Sequence, residues 1–441
     1  MSGGGRIGIG LDIGTSGCRA VALDQDRQPL AGADLPLPGP VRDAHGAVEQ
    51  VPALWWSAAA EVLCRVARGL PRASGASGQR CALCVDATSA TLLLCTPLGE
   101  PLGPALMYND TSARAAAARI ASVAPEQSPA RGASSGLAKL LRLAERHAPA
   151  GPVLAMHQAD WVLGKLAGRF GDSDWNNALK LGFDAQAERW PAWVTGLLPA
   201  PVSLPRVHAP GTVIGRLAPD IARATGLPRD TLLCAGTTDS TAAVIATGAA
   251  RPGDAVTSLG STLVLKLVSE RPITAARFGV YSHRLPVLGG GSGGDLWLAG
   301  GASNSGGAVL RRFFTDAALA ALSPQIDPGT PSGLDYYPLP GPGERFPYAD
   351  PDLAPRLTPR PDDDAAFLKG LLEGIARIER DGYARLVELG APAPVRVLTT
   401  GGGARNAVWT EMRRRLLGVP VASAARQDAA HGAALLALAG R

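Results

Sequence analysis

One stretch constrains the fold more than any other: Gly8-Ile9-Gly10-Leu11-Asp12-Ile13-Gly14-Thr15-Ser16-Gly17-Cys18-Arg19-Ala20-Val21-Ala22-Leu23-Asp24. Apolar residues run into Asp12, a glycine- and hydroxyl-rich corner follows, and a second alternating run spans Cys18 to Leu23. This pattern predicts a β-hairpin whose glycines supply turn geometry and close backbone approach. A carboxylate at a strand end beside Thr15 and Ser16 suits a metal-phosphate group: amides and hydroxyls take the phosphate oxygens while Asp12 faces Mg²⁺. Taken alone, the stretch is better explained as an ordinary tight hairpin. The pattern returns at Val256-Thr257-Ser258-Leu259-Gly260-Ser261-Thr262-Leu263-Val264-Leu265-Lys266, where Gly260, Ser261 and Thr262 fall on Gly14, Thr15 and Ser16. Two such corners predict two related halves that grip one polyphosphate, and together they favour the phosphate reading.

A chain of 441 residues is long enough for two or three domains. Its 46% hydrophobic content predicts sizeable cores. The net charge of +5 is modest, and no Lys/Arg run with interleaved aromatics implies nucleic acid. The six cysteines, Cys18, Cys64, Cys81, Cys84, Cys95 and Cys234, sit mostly in apolar runs as small hydrophobes. Cys81-x-x-Cys84 invites a zinc or redox reading, but it lies in an apparent strand, where the two thiols point to opposite faces, and no second pair completes a metal site. Reduced thiols suit a cytoplasmic protein. Met1 to Arg6 leads straight into the first strand, so no targeting leader is expected, and no apolar run reaches the roughly 18–20 residues of a membrane span.

Along the chain, Gln28-Pro29-Leu30 opens a third strand, and a helix is expected from about Pro52 to Leu70 with proline in its first turn. A surface loop is expected over residues 72–80. Strands are expected over Cys81–Ala87 and Thr91–Thr96, joined by a small, hydroxyl-rich connection suited to a ligand-facing edge. Asp110 stands at the start of an expected helix as its N-cap. Residues 134–168 read as helical with a break near Pro149–Pro152, Asp172–Asn177 as a polar loop, and 192–226 as irregular connecting chain. A buried strand, Leu232–Ala235, runs into Gly236-Thr237-Thr238-Asp239-Ser240, which places Asp239 where strand hands over to helix. After a loop-rich stretch over 323–362 comes a long amphipathic helix from about Asp364 to Leu389, with Phe367, Leu371, Leu372, Ile375, Ile378, Leu386 and Val387 on one stripe. The strand Val395–Thr400, the turn Gly401–Asn406 into a helix with Trp409 and Met412, the strand Val419–Ala422 and a final helix His431–Leu438 complete the chain. The alternation predicts α/β architecture whose basic unit, a three-strand meander plus crossovers, occurs twice.

In this order the motifs resemble the FGGY family of carbohydrate kinases, over essentially the whole chain. Asp12-Ile13-Gly14-Thr15-Ser16 resembles the family's first phosphate motif, Gly260-Ser261-Thr262 its second, Gly401-Gly402-Gly403 with Asn406 its adenosine motif, and Gly236–Ser240 the turn with the catalytic aspartate. The stretches Asp86–Thr91, Tyr108-Asn109-Asp110 and Gly301–Gly307 look most like the compact D-ribulose kinase branch of cyanobacterial and plastid type, often labelled xylulokinase-like. The chain departs from xylulokinases at Thr88-Ser89-Ala90, where those have Gln/Met-His-Gly, and at Tyr108, where those have Trp.

The resemblance implies a two-domain actin-like ATPase (ribonuclease H-like) fold of the α/β class with an inter-domain nucleotide cleft. Residues 1–246, joined by the C-terminal helix 428–441, would form the sugar and phosphate side, and 247–427 the nucleotide-binding domain. It implies ATP and Mg²⁺ as cofactors and transfer of the γ-phosphoryl group to the primary hydroxyl of a ketopentose, with D-ribulose first and D-xylulose or another polyol second. Asp239 is the expected general base and Asp12 the Mg²⁺ ligand. Thr15, Ser16, Gly260, Ser261 and Thr262 contact phosphates; Gly401, Gly402, Asn406 and Trp409 lie by the nucleoside; Ser89 and Asp110, with Asp12 and Asp239, face the sugar. For Asp110 and Trp409, helix cap and core packing remain open alternatives. The partner is a small ketose, with no nucleic acid or membrane, and the chain is expected as monomer or homodimer. A non-catalytic nucleotide switch of the same fold is the remaining alternative, which Asp239 disfavours because a switch needs no base. A dehydrogenase reading of Gly8-x-Gly10 fails for want of a glycine-opened helix within a βαβ unit.

Overall fold

The computed structural model describes residues 5–71, 80–288 and 295–440. The loop expected over 72–80 lies outside the described residues, except Arg80, which opens a strand. The chain divides into two compact units: Met1–Ala246 with Leu288–Gly291 and Asp428–Arg441, and Thr247–Val287 with Ser292–Gln427.

The first unit holds a six-stranded sheet built from β1 (Arg6–Ile13), β2 (Gly17–Leu23), β3 (Pro29–Pro36), β4 (Arg80–Ala87), β5 (Val213–Arg216) and β6 (Leu232–Thr238), in the order β5-β6-β4-β1-β2-β3. Strands β1, β2 and β3 form an antiparallel meander, while β4 runs parallel to β1 and β6 parallel to β4. The second unit repeats the scheme with β7 (Asp254–Leu259), β8 (Leu263–Ser269), β9 (Tyr281–Leu285), β10 (Leu296–Ser303), β11 (Arg396–Thr400) and β12 (Val421–Ser423), ordered β9-β10-β8-β7-β11-β12. There β7, β8 and β10 are the antiparallel meander, and β11 and β12 are the parallel additions. The duplication read from the two corners is thus a duplication of whole sheets.

The two faces of β1 are chemically different. Ile7, Ile9, Leu11 and Ile13 pack in one core with Trp55, Val62, Leu63 and Val66 of the Pro52–Gly69 helix, which starts with proline at its first position. Gly8 and Gly10 occupy the opposite face, where the C-terminal helix Ala429–Ala439 lies against them. A Cβ on Gly10 would sit 1.9 Å from the Ala430 carbonyl oxygen, and one on Gly8 2.4 Å from that of Ala434. Gly432 does the same for the Asp239–Thr247 helix, since its Cβ would meet the Ala242 carbonyl at 1.8 Å. Gly8-x-Gly10 is therefore a packing seat for backbone, with no part in a dinucleotide turn.

Several segments differ from the sequence expectation. Val153–His157 is a strand between the helices Gly136–His147 and Gln158–Ala167 and pairs with Leu92–Cys95. It reads as helix in sequence because a short apolar run has no period of its own. Asp172–Asn177 is a buried strand and helical turn rather than a loop. Asp172 is drawn down to about 2 because hydrogen bonds from His208 and Arg206 and the charge of Arg169 outweigh its burial. Residues 192–226 hold β5 and the Pro219–Thr225 helix. The helix after Asp110 begins only at Arg114, so Asp110 is not its cap. All six cysteines are free, and burial pushes the Cys81 thiol up to about 11. Among the described residues no group of three or more His, Cys, Asp or Glu is placed to hold a metal, and no helix is long and apolar enough to cross a membrane.

In the second unit the Asp364–Glu388 helix buries Phe367, Leu371, Leu372, Ile375, Ile378 and Leu386, while Val387 turns outward at 37% exposure. Its buried Glu379 receives two hydrogen bonds from Arg413, Nε at 2.6 Å and Nη2 at 2.7 Å, and one from Thr257 at 2.5 Å. Removing one member of so fully buried a pair costs about 3–5 kcal/mol, because the other is left uncompensated.

The seat on β1 yields a test. Gly10→Ala forces its methyl into the Ala430 carbonyl and is expected to cost roughly 1–3 kcal/mol. Urea unfolding reads this as a lower midpoint; an unchanged midpoint would refute the close packing.

Candidate active site

The register of the first sheet assembles the site. Asp12 on β1 lies opposite Asp86 on β4, and Asp86 lies opposite Thr237 on β6. These positions are at the C-terminal ends of three parallel strands, where an α/β sheet exposes its ligand edge. Asp239 follows at once as the first residue of the next helix, and its Oδ1 accepts the Ser240 N–H at 2.6 Å. The C-terminal helix begins at the same edge, with Asp428 as its cap accepting the His431 N–H at 3.0 Å. Close approach of β4 and β6 depends on Gly236, whose Cβ would sit 2.1 Å from the Val85 carbonyl oxygen.

The electrostatics are those of crowded acids. Asp86 is fully buried, no N–H or hydroxyl donor reaches either of its carboxyl oxygens, and its one hydrogen-bond contact is with the carboxyl of Asp12. Burial first, then the charges of Asp12 and Asp239, carries it well above the usual carboxylate range. Burial also raises Asp12, against the hydrogen bond with Asp86 and the pull of Arg19 across the hairpin. Such a row requires a cation or a proton.

The Thr15–Ser16 corner is closed by the Gly14 N–H to the Gly17 carbonyl at 2.9 Å. The Leu37 N–H holds the Ser16 carbonyl at 2.8 Å, and the buried Gln50 amide reaches the Thr15 carbonyl at 3.3 Å. In the second unit the equivalent corner is backed by other glycines. The Gly307 and Ala308 amides donate to the Gly260 and Ser261 carbonyls at 2.9 and 3.0 Å. A Cβ on Gly401, which has φ +82°, would strike the Leu259 carbonyl at 2.6 Å, and one on Gly306 would strike Thr262. Gly260–Thr262 and Gly401–Gly402 thus converge in one glycine-lined patch, with open space at Gly402.

Two residues expected beside the nucleoside are committed elsewhere. Trp409 is 3% exposed, packs in the second core and donates its indole N–H to the Leu372 carbonyl at 3.0 Å, so it offers no face to an adenine. Asn406 caps the Ala407–Leu417 helix by accepting the Trp409 N–H at 3.0 Å, while its amide donates to Ser323 at 2.9 Å. Asp110, expected as a sugar ligand, is fully buried and accepts from the Val48 N–H at 2.7 Å and the Ser112 hydroxyl at 2.6 Å. It shapes the loop instead of reaching outward.

Ser89 differs: its Oγ is buried without a partner. The loop around it is held firmly. The Thr88 hydroxyl donates to Gln158 Oε1 at 2.7 Å and shares a 2.6 Å bond with Thr91, and Ala90 sits at φ +63°. Lys139, fully buried, donates to the carbonyls of Ala90 at 2.8 Å and Tyr108 at 3.2 Å and so ties together the two loops expected to line a sugar pocket. Burial pulls its ammonium down to about 7, with Asp110 resisting and Lys180 adding to the fall. Gln158 contributes a further buried, unpartnered Nε2. Sequence carries no signal for Lys139, Gln158 or Gln50. Asp86 did leave one, as the lone carboxylate ending an apolar strand just as Asp12 does.

Comparison with known proteins agrees with this geometry. Residues 255–440 match the profile of the FGGY family of carbohydrate kinases, C-terminal domain. The chain is 27% identical to a xylulose kinase of Streptomyces coelicolor, over 98% of this chain and 87% of that one. The crystal structure of a xylulose kinase from Rhodospirillum rubrum superposes with TM-score 0.81 at 26% identity, covering 98% and 89% of the two chains. Plasmodium falciparum glycerol kinase with ADP shares the fold at TM-score 0.85 and 14% identity, covering 99% and 90%. The chain thus has a mixed α/β two-domain fold of the actin-like ATPase type. Residues 255–440 thus match the C-terminal domain of the FGGY family, and the likeness to sugar kinases over nearly the whole chain marks the protein as a carbohydrate kinase.

Lys139 gives a pH test. Its folded-state pKa near 7 lies below the roughly 10.4 of an unfolded lysine, so unfolding takes up a proton between these values and Lys139 makes stability rise with pH there. Lys139→Met removes this dependence. The stability of wild type minus variant is expected to grow from pH 7 to pH 10; a flat difference would contradict it.

Proposed function

We propose that the protein transfers the γ-phosphoryl group of ATP to the primary hydroxyl of a ketopentose, D-ribulose first. The observation that carries this reading is the convergence of Asp12, Asp86 and Asp239 at the ends of three parallel strands in the first unit. Asp239 acts as general base, taking the hydroxyl proton; its place at a helix start favours the ionised form. Asp12 would hold Mg²⁺, which fits an edge where its carboxyl faces that of Asp86 with no basic group on Asp86 between them, and the ion would supply charge neutralisation for the phosphates. Thr15 and Ser16 position the transferring group, and the Gly260–Thr262 corner with Gly401–Gly402 admits nucleotide phosphates and nucleoside close to backbone. Ser89 Oγ and Gln158 Nε2 bond sugar hydroxyls, since each is buried and unpartnered.

D-ribulose rests on Thr88-Ser89-Ala90 and Tyr108, which differ from the pattern of xylulokinases. D-xylulose is the second reading, favoured by the likeness to the Streptomyces coelicolor xylulose kinase. The test is ADP and sugar-phosphate formation with D-ribulose, L-ribulose, D-xylulose, L-xylulose, glycerol and no sugar. D-ribulose is expected to support the fastest turnover, and Asp239→Ala to lose roughly 10²–10⁴-fold of it. Faster turnover of D-xylulose would replace the substrate and keep the mechanism. Sugar-independent ATP hydrolysis that survives Asp239→Ala would overturn the reading.

A further inference from the structure

We propose that Asp86 is the second carboxylate of the divalent-cation subsite that Asp12 opens, so that two acids on neighbouring strands face one cation. The proposal rests on the phosphoryl-transfer reading and adds to it a residue to which the sequence motifs give no role.

Asp86 is an exception among the buried carboxylates of the described residues. Asp172 is bonded by Arg206 and His208, Asp174 by Asn176 and Asn177, and Asp254 by Arg396. Glu373 and Glu379 are paired with Arg415 and Arg413, Asp160 with His157, and Glu344 is bonded by Ser303. Asp110 is held by Val48 and Ser112. Asp86 alone among them is 0% exposed with no basic, N–H or hydroxyl group on either oxygen, its only hydrogen-bond contact being another acid, Asp12. Burying an unsatisfied carboxylate is costly, so a position like this is kept for something that binds there.

The fold itself does not demand an acid at this place. The second sheet repeats the first, and the positions that match Asp12 and Asp86, two residues before the glycine corner and its partner on the parallel strand, hold Ser258 and Thr400. Hydroxyls satisfy the same architecture in one copy; paired carboxylates occur only in the other.

Distance and chemistry agree. Neighbouring strands lie about 4.8 Å apart, and Mg²⁺ takes oxygens at about 2.0–2.1 Å, so an ion fits between carboxyls in register. No third acid or histidine completes a protein cage among the described residues. Water and phosphate oxygens therefore supply the other ligands, the usual manner of Mg²⁺ beside a nucleotide.

The experiment uses the full chain with Mn²⁺ as probe. Free Mn²⁺ is counted by electron paramagnetic resonance with ADP present, and the metal-free protein is melted separately. Wild type is expected to bind Mn²⁺ in an ADP-dependent manner, and Asp86→Asn to bind it about tenfold or more weakly. Metal-free Asp86→Asn is expected to melt higher than wild type, since a buried acid pair has been relieved. Asp86→Thr, the residue type that the second sheet holds there, is the companion variant should Asn disturb packing. Mn²⁺ affinity unchanged in both variants would overturn the proposal, leaving Asp86 a protonated acid that donates to Asp12. Wild type with no ADP-dependent Mn²⁺ binding would sink the phosphoryl-transfer reading and this proposal with it.

Discussion

The site depends on backbone meeting backbone where the C-terminal helix lies on β1. Only a strand with Gly8 and Gly10 on one face lets Ala430 and Ala434 come so near, and Gly432 extends the same contact to the Asp239–Thr247 helix. The outcome is electrostatic as well as steric. A helix N-terminus carries partial positive charge, and here one starts beside Asp12 at the strand edge. The apolar face of β1, from Ile7 to Ile13, fixes the strand against the Pro52–Gly69 helix, so the glycine face has no freedom to retreat.

From this constraint the chemistry follows in order. Parallel register puts Asp12 beside Asp86, the bulge at Gly236 brings β6 close, and the strand ends by handing Asp239 to a helix. Phosphoryl transfer asks a protein mainly for position and charge compensation. On the proposed reading, a sheet edge with acids at fixed spacing and Asp239 on a helix start provides both. The loops proposed to face the sugar are held by other means. Lys139 and Gln158 fasten loops whose backbone would otherwise be free to move, and Ala90 is kept in the left-handed region.

Much of this was legible in the sequence, and the exceptions have physical reasons. The hairpin corners at Gly14 and Gly260 announced themselves by glycine and hydroxyl content, and the 364–388 helix by its 3.6-residue stripe. Val153–His157 was not legible as a strand, because four apolar residues and a histidine fit helix or strand alike. Asp172–Asn177 reads as a loop from polarity alone; only tertiary partners such as Arg206 and His208 show why those residues are buried. Trp409 and Asn406 stand in a motif of the expected kind, yet one is core and the other a helix cap. A side chain's direction is set by packing and cannot be read from its neighbours in sequence. Asp86 was visible but silent: an acid in an apolar strand acquires meaning only once register sets it beside Asp12.

The most direct test of the account is a crystal structure with Mn²⁺, a non-hydrolysable ATP analogue and the preferred ketopentose, with Mn²⁺ located by its anomalous signal. The account predicts the peak at the edge shared by Asp12 and Asp86, with the sugar's primary hydroxyl about 2.6–3.2 Å from the Asp239 carboxylate. An anomalous peak remote from both acids, with Asp239 turned away from the sugar, would contradict it.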